Sequence, residues 1–226
     1  QSITGVGFQP DLNWIKCRGA AEQHNLSDAV RGDSGLNTGY YYLESNSTAI
    51  SASGAGNTLV SSLDADGFSI GNNNQVNASQ PFVSWNWKAN GAGSLNEVGS
   101  IDSTVSVNTT SGFSIVKWTG TGANATVGHG LGAVPKMIIV KNLDTAVNWI
   151  VYQNKLDASA PEDKYIELNA TTAVQDYPMW NDTAPTSSVF SVGSDMATNK
   201  SSSPMIAYCF ADVAGYSKFS NYIGNG

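Results

Sequence analysis

The sequence has 226 residues and a formal net charge of −7, and it is 41% hydrophobic but only 13% charged. Its eleven lysines and arginines are scattered, which argues against binding to nucleic acid, because that function needs a basic stripe or patch. No stretch approaches about eighteen consecutive apolar residues, so no membrane span is predicted.

Short strand signals follow one another along the chain, separated by clusters of turn residues such as residues 54–57, 64–67 and 71–74. Residues 22–30 are the best helical candidate, but the segment is short and we predict a strand or a single turn there. The pattern predicts an all-β fold of antiparallel β-sandwiches, of the jelly-roll or lectin-like kind. The predicted strands, rich in β-branched and aromatic residues, are 12–16, 40–43, 59–63, 82–87, 115–118, 137–140, 149–152, 165–168, 189–192 and 206–210.

The second half of the sequence repeats the first. Four collinear blocks match at separations of 122 to 125 positions, namely 10–16 with 135–141, 43–48 with 166–171, 68–71 with 190–193, and 81–87 with 204–210. A separation that drifts slightly at turns is typical of duplicated modules whose loops have changed length. We therefore predict two tandem modules related by internal duplication, residues 1–98 and 99–226, with the second core repeat at about 123–214.

Two further segments lie outside that scheme. Residues 91–111 have no counterpart after the second module and are predicted to be an inserted connector. Residues 215–226 resemble residues 112–122 at a separation of 103 or 104 positions. This similarity suggests the opening of a further repeat, as in a longer array.

Catalytic and metal-binding patterns are weak. His24 and His129 are the two histidines and are not equivalent positions in the repeat, and no Gly-x-Ser-x-Gly elbow is present. We predict no catalytic residues, no cofactor and no enzyme activity. Asp64 and Asp66 precede Gly67 and form a weak calcium candidate, but no glutamate follows at the required distance. A simple turn is the favoured interpretation of this segment.

Aromatic residues offer the best candidates for binding. Trp85 and Trp87 alternate along one predicted strand, so they share a face, and their counterparts are also aromatic, which favours a role in the core. Trp180 has no counterpart and lies with Tyr177 in a loop-like segment. These two residues are therefore the predicted sugar-stacking side chains.

Recognisable motifs occupy residues 5–16, 27–32, 66–71 and 83–89 in the first half, and residues 126–132, 135–136 and 180–185 in the second. Taken together, these motifs resemble a domain of unknown function that recurs in virion proteins of marine tailed phages. The resemblance covers nearly the whole chain and implies a setting, in structural or fibre-like proteins, without an established chemistry. Arg31 lies in the most recognisable motif, and Arg31 and its counterpart Lys155 are each predicted to form a structural ion pair.

The resemblance and the modular pattern lead to one functional expectation. We expect a virion or extracellular structural and adhesion protein, on a tail fibre, spike or capsid decoration, which binds other virion proteins or a host surface glycan. A homo-oligomer is expected, with a trimer usual for fibres. The alternatives are a carbohydrate-active depolymerase, with acidic loops and Trp180 forming a cleft, and a pure structural spacer.

Overall fold

The computed structural model describes residues 1–32, 39–53 and 58–226, so the turn predicted at 54–57 lies outside the described residues. Strands dominate these residues, and the α-helices among them are single turns, α1 (Asn74–Asn77) and α2 (Met196–Asn199). Neither helix has the length or the apolar character that crossing a membrane would require. The strands are β1 (Ser2–Thr4), β2 (Leu12–Cys17), β3 (Asn25–Asp28), β4 (Tyr41–Glu44), β5 (Ala52–Ser53), β6 (Val60–Asp64), β7 (Gly67–Ile70), β8 (Phe82–Trp87), β9 (Ser94–Asn96), β10 (Ser103–Asn108), β11 (Phe113–Thr119), β12 (Ala125–Gly128), β13 (Met137–Asn142), β14 (Ile150–Gln153), β15 (Lys164–Glu167), β16 (Gln175–Asp176), β17 (Val189–Val192) and β18 (Pro204–Phe210).

The prediction of an all-β chain is confirmed, and every strand pair in the sheets is antiparallel. All ten predicted strands are present with ends shifted by no more than two residues. The segment at 22–30 forms the strand β3. Sequence patterns missed the shortest strands, and β10 lies in the segment predicted to be a connector.

The strands form two large and two small sheets. The larger sheets have the orders β5-β4-β3-β2-β8 and β16-β15-β14-β13-β18-β11-β10-β9. The smaller sheets are β1-β7-β6 and β12-β17. β9 lies on the first-module side of the predicted boundary at residue 98 but pairs with β10 in the eight-stranded sheet.

Strand order and register correspond between the two halves of the chain. Within the eight-stranded sheet the order β16-β15-β14-β13-β18 matches the order β5-β4-β3-β2-β8 of the five-stranded sheet, and α1 and α2 each precede the last of these strands in the chain. Individual rungs of the ladders agree as well. The corresponding rungs are Trp14–Trp85 with Ile139–Tyr208, Trp14–Leu26 with Ile139–Val151, and Ile3–Phe68 with Val127–Phe190.

Both large sheets carry buried apolar side chains on both faces. Leu12 of β2 clusters with Ile139 and Phe210 of the other large sheet. On the other face of the same strand, Ile15 clusters with side chains of the three-stranded sheet. Side chains of β12 and β17 cluster with those of the eight-stranded sheet.

Candidate functional site

The strand β8 forms an open edge of the five-stranded sheet. It pairs with β2 on one side, and within the described residues no strand pairs with its other side. Arg18 donates its backbone N–H to the carbonyl of Pro81. Because hydrogen-bonded and non-hydrogen-bonded residues alternate along an antiparallel pair, this bond shows which residues of β8 point their backbone groups towards β2. Phe82, Ser84 and Asn86 consequently direct their backbone N–H and C=O groups away from β2. An unpaired row of this kind is a template for an added strand.

Apolar surface flanks this edge on both faces of the sheet. On one face, the Trp85 side chain is 45% exposed and lies edge-on to Trp14, with ring centroids 5.9 Å apart. On the other face there is a cavity of about 300 Å³ lined by Ile3, Phe68 and Phe82 among others. Unsatisfied backbone groups beside exposed aromatic surface make this edge, which we call the β8 edge, the leading candidate for a binding site.

The two side chains predicted to stack on a sugar have different environments. Trp180 is only 2% exposed, its indole N–H donates to the Lys164 carbonyl at 3.1 Å, and its ring packs edge-on against Tyr152. The prediction for Trp180 is therefore corrected: this side chain belongs to the core. In the turn that follows it, Asn181 and Asp182 adopt positive φ angles. Tyr177 is 49% exposed.

Carboxylates surround the backbone position of Tyr177, whose N–H donates to the Asp163 carbonyl. Partial desolvation, together with the charges of Asp182, Glu162 and Asp176, raises the pKa of Asp163. Asp176 also forms an ion pair with Lys164 at 2.5 Å. The Tyr177 surface thus combines one exposed ring with several hydrogen-bond acceptors.

A buried polar network joins the two large sheets. Asp28 Oδ2 accepts hydrogen bonds from Arg31 Nε at 2.5 Å and from the Tyr208 hydroxyl at 2.8 Å, and all three residues are buried. The guanidinium also donates to the Leu26 carbonyl. Burial and the adjacent Asp28 charge raise the pKa of Tyr208 well above its ordinary value. The predicted ion pair of Arg31 is confirmed. Lys155 forms no ion pair within the described residues.

Two further side chains of the second half bind the backbone of the first. The Trp149 indole N–H donates to the carbonyls of Glu44 and Ser47, at 3.0 and 3.2 Å. The Lys141 ammonium donates to the carbonyls of Thr48 and Val147, at 3.0 and 2.7 Å. Both side chains are fully buried, so the polar groups between the large sheets are used to hold the layers together.

The burial of Lys141 predicts a measurable dependence of stability on pH. Desolvation lowers its pKa from 10.5 to about 8, so the unfolded chain binds this proton more tightly than the folded protein. The penalty is present in full below pH 8 and is relieved as the pH rises from 8 towards 10.5. Relative to Lys141→Met, the free energy of unfolding should increase by about 2 kcal/mol between pH 7 and 9.5.

Urea unfolding of both proteins at several pH values measures this difference. Other groups with shifted pKa values, such as Tyr152, whose pKa burial raises to about 12, are common to both proteins and cancel. A difference that stays constant across this pH range would show that Lys141 does not titrate there.

A comparison with known families identifies one family that matches the whole chain. A family model described as a domain of unknown function (DUF7483) matches residues 1–226. The chain belongs to this family. No curated protein and no solved structure matches the DUF7483 chain. The family description names no activity, so the function of this chain has to be argued from the geometry of its surfaces.

The calcium candidate of the DUF7483 chain is a turn. Asp66 accepts hydrogen bonds from the backbone N–H groups of Gly5 and Gly7, and Asp64 accepts one from the Ser69 hydroxyl. Asp64 and Gly67 are paired across the tight β6–β7 hairpin. Across the described ranges, no group of three or more acidic, His or Cys side chains is placed to hold a metal ion. The Asp66 carboxylate therefore fastens the hairpin to the segment after β1, whereas the Asp64 carboxylate bonds within the hairpin.

Sequence patterns identified β8 of the DUF7483 chain as a strand but gave no sign that it lies at an edge. Trp85 was assigned to the core because its counterpart is aromatic, and that assignment holds for Tyr208, which is 1% exposed, but not for Trp85. The difference comes from β11, which pairs with the side of β18 that corresponds to the open side of β8.

Proposed function

We propose that this chain is a structural and adhesion protein of a phage virion, carried on a tail fibre, spike or capsid appendage. It acts by binding other virion subunits or a host surface glycan. The observation that supports this most directly is the β8 edge. There the side of β8 that has no neighbouring strand within the described residues adjoins an exposed tryptophan and an apolar cavity. Such an edge recognises a protein segment by main-chain hydrogen bonds and by pockets for its side chains.

We also propose that the chain consists of two β-sandwich modules that arose by internal duplication. The agreement of strand order and ladder register between the halves supports this origin, since a slip of one residue would turn every side chain to the opposite face. Each module pairs one large sheet with one small sheet, as in jelly-roll and lectin-like sandwiches. The modules then pack through equivalent faces of their large sheets.

Particle composition tests the virion assignment. Peptides of this chain should be recovered from phage particles purified by density-gradient centrifugation, and antibodies against it should label one defined structure on those particles. Recovery of the chain from the soluble fraction of the lysate alone would contradict the proposal. Both measurements are independent of how the chain assembles with itself.

Glycan binding is the second part of the proposal, and the Tyr177 surface supports it. An exposed tyrosine ring beside carboxylate acceptors has the composition of a sugar-binding platform, although the ring of Trp180 does not contribute. Tyr177→Ala should reduce retention of the protein on immobilised host polysaccharide by about tenfold, whereas Tyr216→Ala, a change at another exposed tyrosine, should leave it unchanged. Equal retention of the two variants would rule out this surface.

The same incubation separates an adhesin from a depolymerase. Retention without release of reducing ends supports binding. Reducing ends released in proportion to protein, and lost in Asp163→Asn, would instead support the alternative, because a carboxyl group with a raised pKa is a candidate general acid.

A further inference from the structure

We propose that the β8 edge receives, as an added antiparallel strand, the segment Phe219–Gly226 from a second copy of this chain, with Tyr222 filling the adjacent cavity. The inference deepens the proposed function, since it names the partner of the β8 edge, and it rests on the proposed duplication of the modules. The molecule itself contains the template for this contact.

The template is the pairing of β11 with β18 in the second half. There β11 runs antiparallel along the edge that corresponds to the open edge of β8. Ile115 lies opposite Tyr208 and buries its ring between the large sheets. On the other face, Trp118 lies opposite Met205 and packs against Phe190, with ring centroids 5.6 Å apart.

The corresponding places in the first half are open. Trp85, at the position of Tyr208, is half exposed, because among the described residues no strand lies on that side of β8. Phe68, at the position of Phe190, lines the cavity of about 300 Å³ instead of contacting a Trp118 equivalent. A cavity of about 150 Å³ holds a benzene molecule, so this one can accept the ring of a tyrosine.

The C-terminal segment carries the matching sequence. At a separation of 104 positions, Phe219 corresponds to Ile115 and Tyr222 to Trp118, so an apolar residue is kept on each face of the strand. Tyr222 is 93% exposed in the single chain. A large aromatic side chain left almost fully in water indicates surface that is covered in an assembly.

Two glycines strengthen the correspondence. A β-carbon at Gly120 would lie 2.2 Å from the Lys200 carbonyl oxygen, and one at Gly122 would lie 3.1 Å from Ser201 Cβ, so the end of β11 approaches the chain after α2 too closely for a side chain. Gly224 and Gly226 stand at the same two places in the C-terminal segment. The segment therefore retains the small residues that docking after α1 requires.

The single chain directs this segment outward. Val213 and Ser217 form a tight turn against the end of β18, and Phe219 rests on Phe210 with ring centroids 5.7 Å apart. The residues from 220 onward are exposed. Docking exchanges the Phe219 contact for one against Trp85 of the second copy. Because the donated segment and the β8 edge are different surfaces, the contact is head-to-tail and builds open chains or rings.

Sedimentation velocity of the full chain over a broad concentration range tests the proposal. The unmodified protein should associate with increasing concentration. Tyr222→Asp, which places a charge in the apolar cavity, and Ser84→Pro, which removes an N–H from the open edge without touching the β2 ladder, should each weaken association by about tenfold or more. Ile223→Asp is the matched control, because its counterpart Thr119 faces solvent, and it should associate normally.

A mixing experiment separates disrupted folding from disrupted contact. Tyr222→Asp keeps the edge and Ser84→Pro keeps the donor segment, so the two variants should form a 1:1 complex together while neither associates alone. A monomeric unmodified protein, including one that inserts its own segment, overturns the proposal, as does association that survives both substitutions or a mixture that remains monomeric. Recovery of the chain from phage particles in that case would leave the proposed virion function standing.

Discussion

Replacing Asp28 with asparagine is expected to lower the free energy of unfolding by about 3–5 kcal/mol. Among the residues that the structure describes, the carboxylate is the one charged partner of the buried Arg31 guanidinium, since the other acceptors there are the Leu26 carbonyl and the Ser51 hydroxyl. Asparagine keeps the shape of the side chain but leaves a positive charge between the two large sheets without compensation. Loss of one partner of a buried pair costs more than the pair itself contributes, because the remaining ion is desolvated.

Tyr208→Phe is the matched control for this substitution. It removes one hydrogen bond to Asp28 but leaves the ion pair with Arg31 in place, so we expect a loss of about 1–2 kcal/mol. Guanidinium chloride unfolding followed by tryptophan fluorescence measures both variants. Equal losses for the two substitutions would mean that the Asp28 charge is not what holds Arg31 between the sheets.

Replacing Trp149 with alanine should cost about 3–5 kcal/mol of unfolding free energy. The ring is fully buried between the large sheets, where it stacks on Tyr208 with centroids 6.5 Å apart. Its indole N–H also donates hydrogen bonds to the carbonyls of Glu44 and Ser47, which would lose this donor. The substitution therefore leaves a cavity and removes a contact that joins the first half of the chain to the second.

Trp85→Ala provides the comparison for this second prediction, because it deletes the same side chain at a half-exposed position. We expect it to cost about 1 kcal/mol or less in the single chain. Thermal and chemical unfolding of the two variants should therefore differ by several-fold in the free energy lost. A loss for Trp85→Ala as large as that for Trp149→Ala would show that the β8 edge is already covered.

Individual strands show which elements could be predicted from sequence patterns. Val189–Val192 and Phe82–Trp87 were predicted to the residue, because turn residues bound each apolar run on both sides. Ser103–Asn108 was taken for a connector, since it has no counterpart in the repeat, although it forms a full strand of the larger sheet. Its polar and β-branched residues suit a strand near a sheet edge as well as a linker.

The environments of the candidate site residues, unlike the strands, could not be predicted from the sequence. Trp180 was predicted to be accessible because it lies in a loop-like segment and has no counterpart, but a side chain in a loop can be buried, and its ring packs against Tyr152. Asp28 and Tyr208 are separated by 180 positions, and no local pattern connects them. Their contact depends on which faces of the two sheets meet, and side-chain alternation alone cannot specify that.

The sequence by itself determined the local features of this protein: the strands, the turns and the correspondence between its halves. Alternating apolar residues and turn-forming residues act over a few positions, so they are legible without a structure. Only the tertiary structure decided which strand lies at an edge, which aromatic rings are covered, and how the two large sheets meet. These properties depend on contacts between distant segments. The strands β8 and β18 have similar sequences but differ in exposure, because β11 covers one side of β18 whereas no strand in the described part of the chain covers the same side of β8.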